Sequence, residues 1–199
     1  MSKQRGLDDP RWNASQDSLA DYEREPRERE RPVVYLTDED IRMVHDRAGK
    51  KQDNIDNPND DCGVEPRKAD VLGLKGEVAM AKHYGIPWES QPCSADGRDK
   101  CDFAITRFDD ERKPTLDVKA TKYDPPWLKA RTDRKLTADV YVMTHCDGPK
   151  VMLVGWITRK QLRGCEPTQT VAGCKLQQEN YVAQPDELRR MPEQWEVQR

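Results

Sequence analysis

Two short runs decide how the rest of the chain folds: Lys100-Cys101-Asp102-Phe103-Ala104-Ile105-Thr106 and Thr115-Leu116-Asp117-Val118-Lys119-Ala120. In each, apolar and polar side chains alternate, which is the period of a half-buried strand. Phe103 and Ile105 share one face, with Asp102 on the other; Leu116 and Val118 share one face, with Asp117 and Lys119 on the other. The segment from Arg107 to Pro114 is polar and charged, as a hairpin connection should be. An antiparallel pairing centred between Asp109 and Asp110 places Asp102 across from the Asp117–Lys119 stretch. Two carboxylates and an ammonium are therefore expected together at one end of a sheet.

Working outward toward the N-terminus, the spacing predicts a helix from about Asp70 to Tyr84, stopped by Gly85 with Pro87 beyond. Val71, Leu74, Val78 and Ala81 form its apolar stripe, and Glu77 lies on the edge of that stripe. A carboxylate turned toward a core needs a cation or a hydrogen-bond donor to meet it. Gly73 and Gly76 each weaken the helix by about 1 kcal/mol relative to Ala, and they suggest close approach by another backbone, with a plain packing reason as the alternative. Before this helix, Asp53 to Gly63 reads as a loop. Thr37 opens an earlier helix with Asp40 as a capping-box partner and a thin stripe of Ile41, Val44 and Ala48, preceded by an extended Val33-Val34-Tyr35-Leu36. Residues 1–32 hold seven basic and eight acidic side chains with few large apolar ones, so they are expected to be a disordered charged tail.

Toward the C-terminus, Ala138 to Thr144 and Val151 to Ile157 are nearly continuous apolar runs and read as strands covered on both faces, with Asp147-Gly148-Pro149 turning between them. Thr158 and Gln161 form a capping box for a following helix. After Gly164 the chain is expected to loosen, with a short strand at Asn180 to Ala183 and a short helix at Pro185 to Arg190. The organisation expected is a tail (1–32), an N-terminal strand, helix and loop (33–69), and a domain over 70–199 whose core is 70–164 and whose C-terminal extension is 165–199. The fold class is α/β, with a mixed sheet of four to five strands flanked by helices.

Composition narrows the function. The 199 residues carry 34 Lys and Arg against 37 Asp and Glu, a net charge of −3, and the mean hydropathy is −1.04. A net charge this small excludes a simple basic nucleic-acid coat, so any phosphate binding must come from a local patch. No stretch approaches the roughly 20 apolar residues of a membrane span, and there is no apolar signal region at the N-terminus. A cytoplasmic protein with thiols rather than disulfides among its six Cys is expected. Cys93 with Cys101, and Cys165 with Cys174, lack the spacing of a zinc knuckle, and His45, His83 and His145 are scattered.

Two carboxylates a few ångströms apart repel, and one retains a proton unless a cation lies between them. A hard ion such as Mg²⁺ resolves that conflict with oxygen ligands; it eases deprotonation of a bound water and polarises a phosphoryl oxygen. Lys119 is placed to orient that water or offset charge on phosphorus, and Glu77 to add a further ligand. Acid-x-Lys alone is uninformative: with 37 acids and 15 Lys about three matches arise by chance, and three occur, at Glu111, Asp117 and Asp133. Only the one at Asp117 lies in an apolar strand. The informative feature is the order: helix with inward Glu, strand with Asp, hairpin, strand with Asp-x-Lys, two strands, helix.

That order resembles the PD-(D/E)XK nuclease superfamily, with its restriction-endonuclease-like fold, over about Asp70 to Gly164. Gly73-Leu74-Lys75-Gly76-Glu77 is similar to the family's Glu-bearing helix, Lys100-Cys101-Asp102-Phe103 to its first Asp, and Leu116-Asp117-Val118-Lys119 to its second acid and Lys. Ala138-Asp139-Val140-Tyr141-Val142 and Val154-Gly155-Trp156-Ile157-Thr158 resemble later strands of phage and prophage members. Cys101 stands where the signature has Pro. The resemblance implies an endonuclease that hydrolyses DNA with Mg²⁺ (or Mn²⁺). Its catalytic set would be Glu77, Asp102, Asp117 and Lys119, and its metal ligands Glu77, Asp102, Asp117 and the Val118 backbone carbonyl. In a phage member the location would be the host cytoplasm, and double-strand cutting would call for a homodimer. The rivals are a junction resolvase or exonuclease of the same fold, and a catalytically silent nucleic-acid-binding module.

The stretch from Lys119 to Lys135 carries a net +4 in a chain that is negative overall. Lys122, Trp127, Lys129, Arg131, Arg134 and Lys135, interleaved with Tyr123, suit a phosphate backbone with Trp127 stacking on a base; the alternative is a solvated loop whose Trp packs on the body. Arg159, Lys160 and Arg163 would extend the patch.

Overall fold

The computed structural model describes residues 31–53, 66–86, 88, 102–106, 114–193 and 196–197. The tail through residue 30, the 54–63 loop, the 107–113 hairpin connection, Cys93 and Cys101 lie outside the described residues. Nine strands and three helices are described: β1 (Val33–Tyr35), α1 (Asp38–Asp53), α2 (Pro66–His83), β2 (Phe103–Thr106), β3 (Thr115–Thr121), β4 (Leu128–Arg131), β5 (Val140–Asp147), β6 (Lys150–Thr158), α3 (Arg159–Gly164), β7 (Pro167–Val171), β8 (Cys174–Ala183) and β9 (Glu196–Val197).

The α/β class holds, with a mixed sheet, but that sheet has six strands rather than four or five. Its order is β1-β6-β5-β3-β2-β9, and a separate three-stranded sheet runs β4-β8-β7. Among the described strands, only β3 and β5 pair in parallel. Their connection leaves the sheet, and β4 lies within it. A parallel pair needs such a long crossover, usually helical; here it supplies a strand to the second sheet.

Both capping boxes form. Thr37 N–H and Oγ1 donate to Asp40 Oδ2 at 2.6 and 2.8 Å, and Asp40 N–H returns to Thr37 Oγ1 at 3.2 Å. Thr158 and Gln161 cap α3 in the same way. Helix α2 begins four residues earlier than its apolar stripe suggests, with Pro66 in its first position, where a missing N–H leaves nothing unsatisfied. Gly85 follows it at φ +66°.

Two apolar layers sandwich the large sheet. Leu116, Val118, Val140, Val142, Val151 and Leu153 face α1 and α2. Tyr141, Met143, Val154 and Ile157 face Leu128, Ala130, Leu162, Ala183 and Leu188, contributed by the second sheet, α3 and the C-terminal segment. Strands β5 and β6 are thus buried on both faces, which accounts for their unbroken apolar sequence. The Asp147–Lys150 pair closes their hairpin, with Gly148 at φ +60°.

The parallel register is locked at its start. Thr115 N–H and Oγ1 donate to Asp139 Oδ2, and Asp139 N–H donates back to Thr115. Arg159 reaches Asp139 Oδ1 at 3.1 Å, so this guanidinium belongs to the scaffold rather than to an open basic patch.

The C-terminal extension does not loosen after Gly164. Residues 167–183 form the β7–β8 hairpin, and Leu128↔Ala183 to Arg131↔Asn180 join it to β4. The expected helix at Pro185 to Arg190 is instead turns and an extended clamp. Trp156 and Arg189 exchange two backbone hydrogen bonds at 2.8 Å, and Trp156 Nε1 donates to the Arg190 carbonyl. The short apolar signal of Leu188 and the buried Trp156 override a weak helical pattern.

Gly155 makes this clamp feasible. It sits at φ +153°, and a Cβ there would collide with the Arg189 carbonyl and meet Leu188 Cβ at 2.9 Å. Gly155→Ala should therefore destabilise the fold by about 2 kcal/mol or more. Chemical denaturation should show a lower midpoint with the C-terminal clamp loosened.

Candidate active site

The β2–β3 ladder has the register the sequence predicts: Phe103 pairs with Leu116, and Ala104 with Thr115. Continuing that ladder puts Asp102 opposite Asp117, and Asp102 N–H donates to the Leu116 carbonyl at 2.8 Å. Asp102 Oδ2 accepts the Val118 N–H at 2.6 Å. The Asp102 carboxylate thus caps the end of the strand pair through a main-chain donor.

Strand alternation sorts the neighbours. Leu116 and Val118 point into the helical layer, and Asp117 and Lys119 point to the opposite face. There Asp117 aligns with Tyr141 and Lys119 with Met143 across the parallel pair. Lys119 Nζ and Asp117 Oδ1 are 2.7 Å apart, with the side chains 39% and 22% exposed, so the pair is reachable from solvent.

Glu77 arrives on the helical side. Helix α2 lies close against β3 and β5 because Gly76 has no side chain: a Cβ there would be 2.5 Å from Thr144 Oγ1 and 3.2 Å from both Ala120 Cβ and Val118 Cγ1. The close approach expected of the glycine pair is thus real at Gly76, though to side chains rather than backbone. At Gly73 a Cβ would meet nothing within 4 Å, so that glycine has no packing role of this kind.

The electrostatics follow from this placement. Burial pushes the Asp102 carboxyl well above the usual carboxylate range; the Glu77 charge and then the Asp117 charge push it further. The Val118 N–H and the Lys119 ammonium oppose the shift without cancelling it. Burial, with Asp117 beside it, raises the Tyr141 phenol to about 12. Tyr141 is a neighbour of Asp117 that sequence reasoning missed, because only the parallel β3–β5 register brings the two together.

Glu77, Asp102, Asp117 and Lys119 therefore assemble around one end of the β2–β3 ladder, with α2 on one face, Asp117 and Lys119 on the other, and Asp102 at the edge. Among the described residues, no group of three or more His, Cys, Asp or Glu side chains is gathered closely enough to hold a metal ion. Asp117 is instead turned to Lys119.

The basic stretch does not leave β3 as a loop alone, since Leu128–Arg131 is strand β4. Lys122, Arg134 and Lys135 are exposed, and Lys129 and Trp127 are half-buried. Arg131 is engaged by Asp133 through two hydrogen bonds of 2.8 and 2.6 Å.

No family model, curated protein or solved structure matches the chain. Among the described residues, no helix is long and apolar enough to cross a membrane.

The raised Asp102 carboxyl has a definite consequence for stability. In the unfolded chain it ionises near pH 4, and in the folded protein only at higher pH. Its stabilising share is therefore complete below the unfolded value and is lost as pH rises through the folded value. Asp102→Asn keeps an acceptor for Val118 N–H and removes the charge. The metal-free variant should melt higher than wild type at neutral pH, with the gap closing as the pH falls toward about 4; paired melting curves across that range measure it.

Proposed function

We propose that this chain is a metal-dependent nuclease that hydrolyses DNA phosphodiesters, built on a restriction-endonuclease-like core. The observation that carries this reading is the placement of Asp102 opposite Asp117 at the end of the β2–β3 ladder, with Lys119 ion-paired at 2.7 Å and Glu77 close enough to press on Asp102. The resemblance of these same segments to the PD-(D/E)XK superfamily points the same way.

By its chemistry the donor set suits a hard divalent ion, though its carboxylates are not gathered closely enough to hold one as they stand. It is entirely oxygen, and burial first, then the Glu77 and Asp117 charges, hold Asp102 above its ordinary range. Asp102 and Asp117 would hold the ion, with the Val118 carbonyl and Glu77 as further ligands. When bound, Mg²⁺ or Mn²⁺ supplies Lewis acidity toward a phosphoryl oxygen and a more acidic water.

The protein's own groups do the positioning. Val118 N–H fixes the orientation of the Asp102 carboxylate. The Lys119 ammonium, half-exposed at the mouth of the site, can donate to a water or a phosphate oxygen, offsetting the negative charge that develops on phosphorus. Asp117 holds that ammonium in place until a phosphate competes for it. A second reading, a silent binding module, draws on the same ion pair, because an ammonium already neutralises Asp117.

Asp117→Ala and Lys119→Ala should each lower Mg²⁺-dependent cleavage of DNA by about 100-fold or more while leaving the circular dichroism spectrum intact. Supercoiled, linear and branched DNA assayed side by side separate an endonuclease from an exonuclease or resolvase. Undiminished cleavage by both variants would overturn the assignment, and DNA binding without cleavage by wild type would favour the silent module.

A further inference from the structure

The connection leaving the candidate catalytic strand carries an exposed aromatic ring that the packing of the protein does not use. Tyr123 is 57% exposed, one of three large apolar side chains on the described surface. It is not loosely held: its N–H donates to Thr121 Oγ1 at 3.2 Å, and Thr121 is the buried last residue of β3. The backbone beneath the ring is therefore anchored to the strand that carries Asp117 and Lys119.

Two ammonium groups lie near this ring. Lys122 Nζ lies 5.5 Å and Lys129 Nζ 6.0 Å from its centroid, both near the outer limit of cation–π contact. Lys122 precedes it in the chain and Lys129 stands on β4, so the cations come from different elements. Asp124 is the acidic neighbour, exposed beside them. At this distance and exposure the lysines hold the ring weakly, and both stems are long enough to swing to other anions. Trp127, the ring singled out by the sequence, is half-buried and presents less free surface.

The geometry points to Tyr123 as a stacking platform for an unpaired nucleobase, with Lys122 and Lys129 taking the phosphates on either side of it. A flat exposed ring flanked by cations binds single-stranded nucleic acid without sequence preference, because every base presents a π-face and every linkage an anion. Four residues of chain span at most about 14 Å, so the platform is a short distance from Lys119. It would hold a frayed or unpaired nucleotide close to the phosphate being cut, which biases the enzyme toward single-stranded, nicked or branched substrates. This rests on the nuclease reading above.

The test measures binding rather than cleavage. Fluorescence anisotropy of the full chain with a fluorescein-labelled oligothymidylate of about a dozen nucleotides, in EDTA, should give binding about tenfold or more weaker for Tyr123→Ala, with Tyr123→Phe matching wild type. The Lys122→Ala/Lys129→Ala double variant should flatten the dependence of log affinity on log salt by about 1.4, and Tyr123→Ala should leave that slope unchanged. Equal binding by wild type and Tyr123→Ala, or an equal loss in Tyr123→Phe, overturns the platform and leaves the nuclease reading standing. No binding by wild type likewise overturns the platform, and Mg²⁺-dependent cleavage of duplex DNA by the same preparation decides the nuclease reading separately.

Discussion

One short hydrogen bond sets the terms for the rest of the molecule. Val118 N–H donates to Asp102 across the end of the β2–β3 ladder, holding a carboxyl group where burial, Glu77 and Asp117 all disfavour its charge. A main-chain donor is well suited to this task, since it cannot rotate away as a side chain can. The hydrogen bond from Asp102 N–H to Leu116 completes the two-way tie. The carboxylates are crowded because the backbone ladder puts them there.

Everything that surrounds this ladder keeps it flat against two cores. On one face, Gly76 brings α2 down onto Val118, Ala120 and Thr144, which delivers the next residue, Glu77, toward Asp102. On the other, the second sheet and the C-terminal clamp cover Tyr141, Met143 and Ile157. The Thr115–Asp139–Arg159 network pins the start of β3 to β5 and to α3. Charge at the site thus opposes stability locally, while burial of the two apolar layers supplies it, a division common where a fold supports chemistry.

The local chemistry of the chain was legible from its residues. Alternation in 102–106 and 115–120 specified both strands and, with the charged connection between them, the pairing that sets Asp102 opposite Asp117. Thr37 with Asp40 and Thr158 with Gln161 marked two helix starts, and the unbroken apolar runs marked β5 and β6 as buried on both sides. Each of these signals acts over a few residues, so the sequence alone carries it.

What only the tertiary structure decided were the pairings between distant segments. Beyond the expected strand at Asn180 to Ala183, the residues of β7 and β8 are mostly polar and no apolar period announces them; β8 completes the edge that β4 offers. The 185–190 segment is drawn into an extended clamp by Trp156 and the space at Gly155. Asp117 meets Tyr141 only through a parallel register, and Lys119 turns to Asp117 rather than standing apart. Local propensities amount to fractions of a kcal/mol per residue, whereas a buried Trp or a completed strand edge is worth several times that, so the long-range contacts prevailed wherever the local signal was weak.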